Sequence, residues 1–216
     1  NVKFVANGNI GYSLNGGKNY DGTTDINAGG ALTASLGDLS SGYGLFESKE
    51  EFDIDFLIMG SGSKTRSETQ ALANKLISVA EVRKDAVAFI SPDKTTFITG
   101  STLRSSNDIT NNVLDFFAPI SSSTYAVFDS GFKYMFDRFG NTFRYVPLNG
   151  DIAGTCARND INNFPWFSPA GTARGSILNA VKLGYNPSQT QRDLLYTNRI
   201  NPVIFSPGAG IILFGD

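Results

Sequence analysis

Hydrophobic and polar positions change period several times along this chain. Residues 1–50 are rich in Gly, Asn, Ser and Thr, and short apolar alternations at Val2–Val5 and Ile10–Leu14 predict two strands leading into a long loop at Asn15–Gly22. Residues 35–46 predict a weak helix, because Gly37, Gly42 and Gly44 each oppose one. From Phe52 to Met59 an apolar run starts with alternation and ends continuous, as in a strand entering a buried sheet, and Gly60-Ser-Gly-Ser63 breaks it. Leu72, Leu76 and Val79, with Ala73, Ile77 and Ala80, form one stripe at helical spacing and predict a helix over 67–83. Ala86–Ile90 reads as the next strand, ended by Ser91-Pro92. Strand, helix and strand within about forty residues make a crossover unit, which implies parallel neighbours and an α/β sheet.

The second half continues with a helix over 107–117, where Ile109, Val113, Leu114 and Phe117 share one side. A β-meander follows, with strands at Tyr125–Phe128, Phe132–Phe136 and Phe143–Val146 and a turn at Gly140-Asn141. Alternation puts Phe132, Tyr134 and Phe136 on one face. Residues 150–159 predict a helix, 164–171 an aromatic and Pro-rich loop, and 174–183 a strand or short helix. Asn186-Pro187 reads as a cap and first turn, so a helix is expected over 187–198. Val203–Phe205 and Ile211–Phe214 close the chain as two strands around Pro207-Gly208. The fold class is therefore α/β: a mixed β-sheet flanked by helices, with a β-meander in the second half.

Composition narrows the function classes. At 216 residues with 41% hydrophobic content the chain can bury one substantial core, so a single domain over 1–216 with a Gly-rich lead-in over 1–50 is expected. It begins at Asn1 rather than Met, and is expected to be a piece of a longer protein. Eighteen basic against 20 acidic residues, without a Lys/Arg cluster, argue against direct nucleic-acid binding. No apolar run reaches the roughly 20 residues that span a bilayer, so membrane insertion is not expected. Cys156 is the single cysteine, which rules out an internal disulfide and a cysteine-based zinc site, and it reads as a small apolar helix residue.

The chain has no histidine, which excludes Ser-His-Asp and Cys-His activation and histidine metal sites. Two alternatives remain for an enzyme. Gly60-Ser-Gly-Ser-Lys-Thr65 sits between a strand and a helix, as a phosphate loop does, but Ser63 stands where that motif needs glycine before Lys64. A plain strand-to-helix turn fits it better. Asp53 and Asp55, two apart on an expected strand, would face one side about 7 Å apart and could hold a divalent cation or divide acid and base roles. Their setting beside Glu47, Glu50 and Glu51 favours a solvated sheet end. Asp151 with Arg158, and Asp160, are expected to pair as ions that orient the following loop. In that loop Trp166, flanked by Phe164 and Phe167, is expected to pack onto the core or a partner subunit.

Asp151-Ile-Ala-Gly-Thr-Cys-Ala-Arg-Asn-Asp160, Pro165-Trp-Phe-Ser-Pro-Ala-Gly171, Arg174-Gly-Ser-Ile-Leu178 and Ile200-Asn-Pro202 follow one another in order. Together with Tyr145-Val-Pro147, Gln191-Arg-Asp193 and Leu213-Phe-Gly-Asp216, this series resembles the core-domain signature of contractile tail sheath proteins, especially those of T-even-like myoviruses. The resemblance implies the inner α/β core of a structural subunit that stacks as hexameric rings around a tail tube. Contraction of such a sheath drives the tube through the host envelope. Further implications are partners (the chain itself, the tail tube protein, baseplate and tail terminator proteins), a virion location after assembly in the host cytoplasm, and no catalytic, cofactor or metal site. The alternative is an α/β nucleotide- or metal-binding enzyme domain using Lys64 or Asp53/Asp55.

Overall fold

Period-two burial divides the central strands between two apolar layers. The computed structural model describes residues 34–100 and 102–215, so the strands and loop expected within residues 2–22 lie outside the described residues. In chain order the elements are α1 (Leu36–Gly44), β1 (Phe56–Ile58), α2 (Arg66–Arg83), β2 (Val87–Ile90), β3 (Ile98–Thr99), β4 (Thr102–Leu103), α3 (Ser106–Phe117), β5 (Ala126–Phe128), β6 (Phe132–Asp137), β7 (Thr142–Pro147), α4 (Asn149–Asn162), β8 (Lys182–Leu183), α5 (Gln189–Thr197), β9 (Val203–Ser206) and β10 (Gly210–Leu213).

β1, β2 and β5 form a parallel sheet in the order β1-β2-β5. Leu57, Ala88, Ile90 and Phe128 enter one apolar cluster with Leu72, Leu76 and Ile77 of α2 and Ile109, Val113 and Phe116 of α3. Phe56, Val87, Phe89 and Val127 enter a second cluster with Leu148, Ile152 and Ala153 at α4 and with Val203, Ile211 and Leu213 of the β9–β10 hairpin. Successive residues thus face opposite layers, and both faces of the sheet are covered, as parallel strands require.

The helices predicted from periodicity are present. α2 starts at Thr65, whose side chain accepts the Glu68 N–H, and stops at Lys84 in the left-handed conformation with φ 62°. α1 and the short 3-10 turn at Leu45–Glu47 occupy the weak-helix region, with Leu36, Leu39, Tyr43 and Phe46 packed on the first cluster. α5 differs in its start. Ser188, not Asn186, caps it in a capping box with Gln191, while Asn186 Oδ1 accepts the Phe205 N–H at 2.9 Å.

Two strand assignments change. The run 52–59 becomes strand only from Phe56, because the preceding backbone is drawn into a turn by Arg83, which donates to the carbonyls of Phe46, Ser48 and Phe52. The antiparallel sheet of the second half has the order β7-β6-β8. Its membership differs from the expected meander, since Ala126–Phe128 joins the parallel sheet and Lys182–Leu183 supplies the third antiparallel strand. The chain leaves one sheet for the other at Asp129-Ser130-Gly131. There Asp129 Oδ1 accepts the Gly131 N–H at 2.8 Å, and Ser130 Oγ accepts the Val203 N–H at 3.0 Å. A Cβ on Gly131 would come within 2.7 Å of the Phe97 ring, so this crossing needs glycine.

Outside β8, residues 174–183 are irregular, and Gly175–Ile177 run beside β10 with Ile177 N–H donating to Ile211 O at 2.9 Å. No described helix is long and apolar enough to cross a membrane.

Candidate functional site

The phosphate-loop candidate is closed on its own helix. Thr69 Oγ1 accepts the Ser63 N–H at 3.0 Å, and Ser63 Oγ donates to Glu68 Oε2 at 2.9 Å. A carboxylate therefore already occupies the first turn of α2, where the helix dipole favours negative charge and where it repels a phosphate. A Cβ on Gly62 would lie 2.5 Å from Thr69 Cγ2, so the loop backbone packs on the helix instead of opening around a ligand. Lys64 is exposed. Asp53 and Asp55 are also exposed, in the turn before β1 and not on a strand. Among the described residues no group of three or more His, Cys, Asp or Glu is placed to hold a metal ion.

Asp151 and Arg158 are not an ion pair. Asp151 Oδ1 accepts from the buried Lys133 Nζ at 2.7 Å, and Lys133 also donates to Leu178 O at 3.2 Å. Arg158 Nη2 donates to the carbonyls of Arg174 and Ser176 at 2.9 and 2.7 Å, while Asp160 is exposed. The loop after α4 is oriented as expected, through carbonyl contacts: Asn159 Nδ2 donates to Phe167 O at 2.8 Å and Arg174 Nε to Ser168 O at 2.7 Å. Its rings face outward. Trp166 is 74% exposed and stacks on Phe164 at 4.7 Å, with the Arg174 guanidinium over Phe167 at 5.4 Å. Cys156 is half-buried against the second cluster; burial first, then the Asp160 charge, push its thiol up to about 11, so it remains an inert thiol.

At the carboxyl ends of the parallel strands, polar groups interlock. Ser91 Oγ donates to Asp129 Oδ2 at 2.5 Å and accepts the Asn149 N–H at 2.9 Å. Asn149 Nδ2 donates to Gly60 O at 2.7 Å. The ends of β1, β2 and β5 are thus tied to the start of α4. Asp129 is fully buried, with no ion pair to it among the described residues, and burial pushes its carboxyl up to about 8 despite the hydrogen bonds from Ser91 and Gly131.

The β6–β7 hairpin presents a row of rings. Its register sets Tyr134 opposite Tyr145 and Phe136 opposite Phe143, so these four rings share one face at neighbouring centroid distances of 4.7–5.4 Å. Lys182 Nζ lies over the Tyr134 ring at 5.0 Å. In the turn, Asp137 Oδ1 accepts the N–H groups of Phe139 and Gly140 at 3.0 and 3.1 Å, and Arg144 Nε reaches Asp137 Oδ2 at 2.9 Å. The Gly140 N–H above all holds the Asp137 carboxyl below its ordinary range. This braced turn holds Phe139 at 94% exposure. Rows of exposed aromatic rings of this kind are common at protein contact surfaces.

The phage tail sheath protein central domain family matches residues 38–216. This chain belongs to the phage tail sheath protein family. It is 35% identical over 206 residues to the tail sheath protein of Enterobacteria phage T4, covering 91% of this chain and 31% of that protein. It is 34% identical over 212 residues to the tail sheath protein of Vibrio phage KVP40, covering 93% of this chain and 31% of that one. The chain thus spans about a third of the length of these relatives. Its fold is shared with a contracted-state helical sheath of the anti-feeding prophage, at a TM-score of 0.58 and 14% identity over 86% of this chain and 45% of that one. Arg83, Lys133, Asp129 and the hairpin face did not emerge as functional from the sequence. The helical stripe through Leu76 and Val79 does reach Arg83, and alternation did mark the hairpin rings.

Proposed function

We propose that this sheath-family chain is part of the structural subunit of a contractile virus tail sheath. Such a subunit polymerises as hexameric rings around the tail tube, and contraction drives the tube through the host envelope for genome delivery. The family match across residues 38–216 carries this reading. The fold supports it physically. Contraction needs a block that stays rigid while its outer contacts are exchanged, and interlocked buried polar groups together with outward-held aromatic rings suit that task.

In this reading residues 1–216 form the core domain of a larger subunit, with residues 1–50 as its lead-in. The partners are further copies of the chain, the tail tube protein, and baseplate and tail terminator proteins, in a virion tail assembled in the host cytoplasm. Direct nucleic-acid contact and membrane insertion have no part in it. Neither Lys64 nor the Asp53/Asp55 pair is given a catalytic, cofactor or metal role, and the closed Gly60–Thr65 loop weighs against the enzyme alternative.

Negative-stain electron microscopy of the full-length protein expressed alone tests the reading. Tubes or stacked rings are expected. Persistent monomers that bind a nucleotide or divalent cation, with binding lost in Lys64→Ala or Asp53→Ala, would replace this reading with the enzyme one.

A further inference from the structure

The two ends of the parallel sheet carry opposite surface chemistry. Segment 50–55 enters β1 at the sheet's amino end, and the β6–β7 hairpin leaves β5 at its carboxyl end, held there by the Leu148 N–H to Gly131 O bond at 3.0 Å. Because β1, β2 and β5 are parallel, these surfaces sit at opposite ends of the sheet. At the amino end Glu50, Glu51, Asp53 and Asp55 are exposed beside Phe52 and Leu45, which are 38% and 65% exposed. The adjacent Glu47 and Lys49 already pair with Lys75 and Asp85. At the carboxyl end the ring face and Phe139 are accompanied by the exposed cations Arg138 and Lys182.

We propose that the β6–β7 hairpin of one copy docks on segment 50–55 of the next copy, rings against Phe52 and Leu45 and cations against the carboxylates. This deepens, and rests on, the sheath reading above. Charge complementarity selects the second copy as occupant and selects the geometry. A two-fold contact between like ends would set cation against cation or acid against acid, whereas head-to-tail pairing joins unlike ends. Head-to-tail contacts use two different surfaces, so they propagate into rings or helical arrays instead of stopping at a dimer. Phe136 and Phe143, 44% and 49% exposed, offer on the order of 100 Å² each, while Tyr145 is already packed on the first cluster. The row therefore supplies the aromatic centre of a contact of about 800 Å² per partner, and not its whole area.

The experiment uses full-length sheath protein and compares its polymerisation threshold with its thermal midpoint. Arg138→Glu with Lys182→Glu is expected to lower the midpoint only slightly, through the lost ring contacts, and to raise the threshold roughly tenfold or more, as loss of a central contact does. Phe139→Ser, at a ring that is 94% exposed, is expected to act in the same direction. Asp53→Lys with Asp55→Lys is expected to match the cation reversal, and all four charge reversals together are expected to restore assembly towards wild type. Variants that assemble at the wild-type threshold, or a fourfold variant no better than the pairs, would overturn the contact and assign the hairpin to another partner, such as the tube or another part of the subunit. Wild-type protein that never polymerises would overturn the sheath reading, and the contact with it.

Discussion

Arg83→Ala is expected to lower folding stability by about 2–3 kcal/mol. Arg83 is only 1% exposed. Its Nη1 donates to Phe46 O at 2.7 Å and Ser48 O at 3.2 Å, its Nη2 to Phe52 O at 2.9 Å, and its Nε to Asp85 Oδ1 at 3.0 Å. Truncation leaves these carbonyls without their donor, and a buried polar group without a partner costs about 1–3 kcal/mol. It also opens a cavity between α2 and the segment that leads into β1. Against a total stability of about 5–15 kcal/mol, the loss is a large fraction. Arg83→Lys is expected to recover little, since an ammonium cannot fork to several carbonyls as the planar guanidinium does. Urea unfolding midpoints check this, and a loss below about 1 kcal/mol would show that Arg83 does not anchor the segment.

The second large effect is a pH dependence centred on Asp129. Its carboxyl is pushed up to about 8 in the folded state from an ordinary 3.8. Between these values the native chain holds a proton that the unfolded chain has released. Stability is therefore expected to fall as pH rises through this window, by up to about 1.4 kcal/mol per pH unit from this group. Below the window both states are protonated, and above it both are ionised, so the dependence stops at each end. Asp151, raised by burial and lowered again by Lys133, acts in the same direction. Asp137 acts oppositely, because its lowered value gives stability that is lost in acid. Asp129→Asn keeps an acceptor for the Gly131 N–H and removes the titration. The slope between pH 5 and 8 should flatten in this variant, and an unchanged slope would place the titrating group elsewhere.

In the proposed sheath role, both predictions concern the stiffness that such a block needs. Arg83 locks the approach to β1, and Asp129 bonds Ser91, which with Asn149 ties the strand ends to α4. The contacts that change during contraction can then lie outside the block.

The sequence revealed the helices and the parallel crossover because apolar spacing reports which face is buried. Leu72, Leu76 and Val79 suffice for α2. The register of sheets was less visible. Tyr125–Phe128 and Phe132–Phe136 look alike as strand runs, and their assignment to different sheets depends on the buried side chains of Asp129 and Ser130, whose partners Ser91 and Val203 are remote in sequence. The start of α5 was legible in Ser188-Gln-Thr-Gln191, a capping box, although Asn186-Pro187 offered a competing start. Pairing of Asp151 with Arg158 was suggested by proximity along the chain. In the fold Lys133 is nearer, brought there by β6. The aromatic loop at Trp166 was recognised as a contact feature, but whether its rings face the core or solvent depends on carbonyl anchors from Arg158, Asn159 and Arg174 that spacing does not encode.

Cryo-electron microscopy of the parent virion's tail before and after contraction tests the central claim most directly. The predicted result is sheath density that contains residues 36–215 with the same internal arrangement in both states, superposing to within roughly 1 Å, while contacts between copies change. A tail whose sheath lacks this chain, or a chain whose β1-β2-β5 sheet and β6–β7 hairpin are rebuilt on contraction, would contradict it.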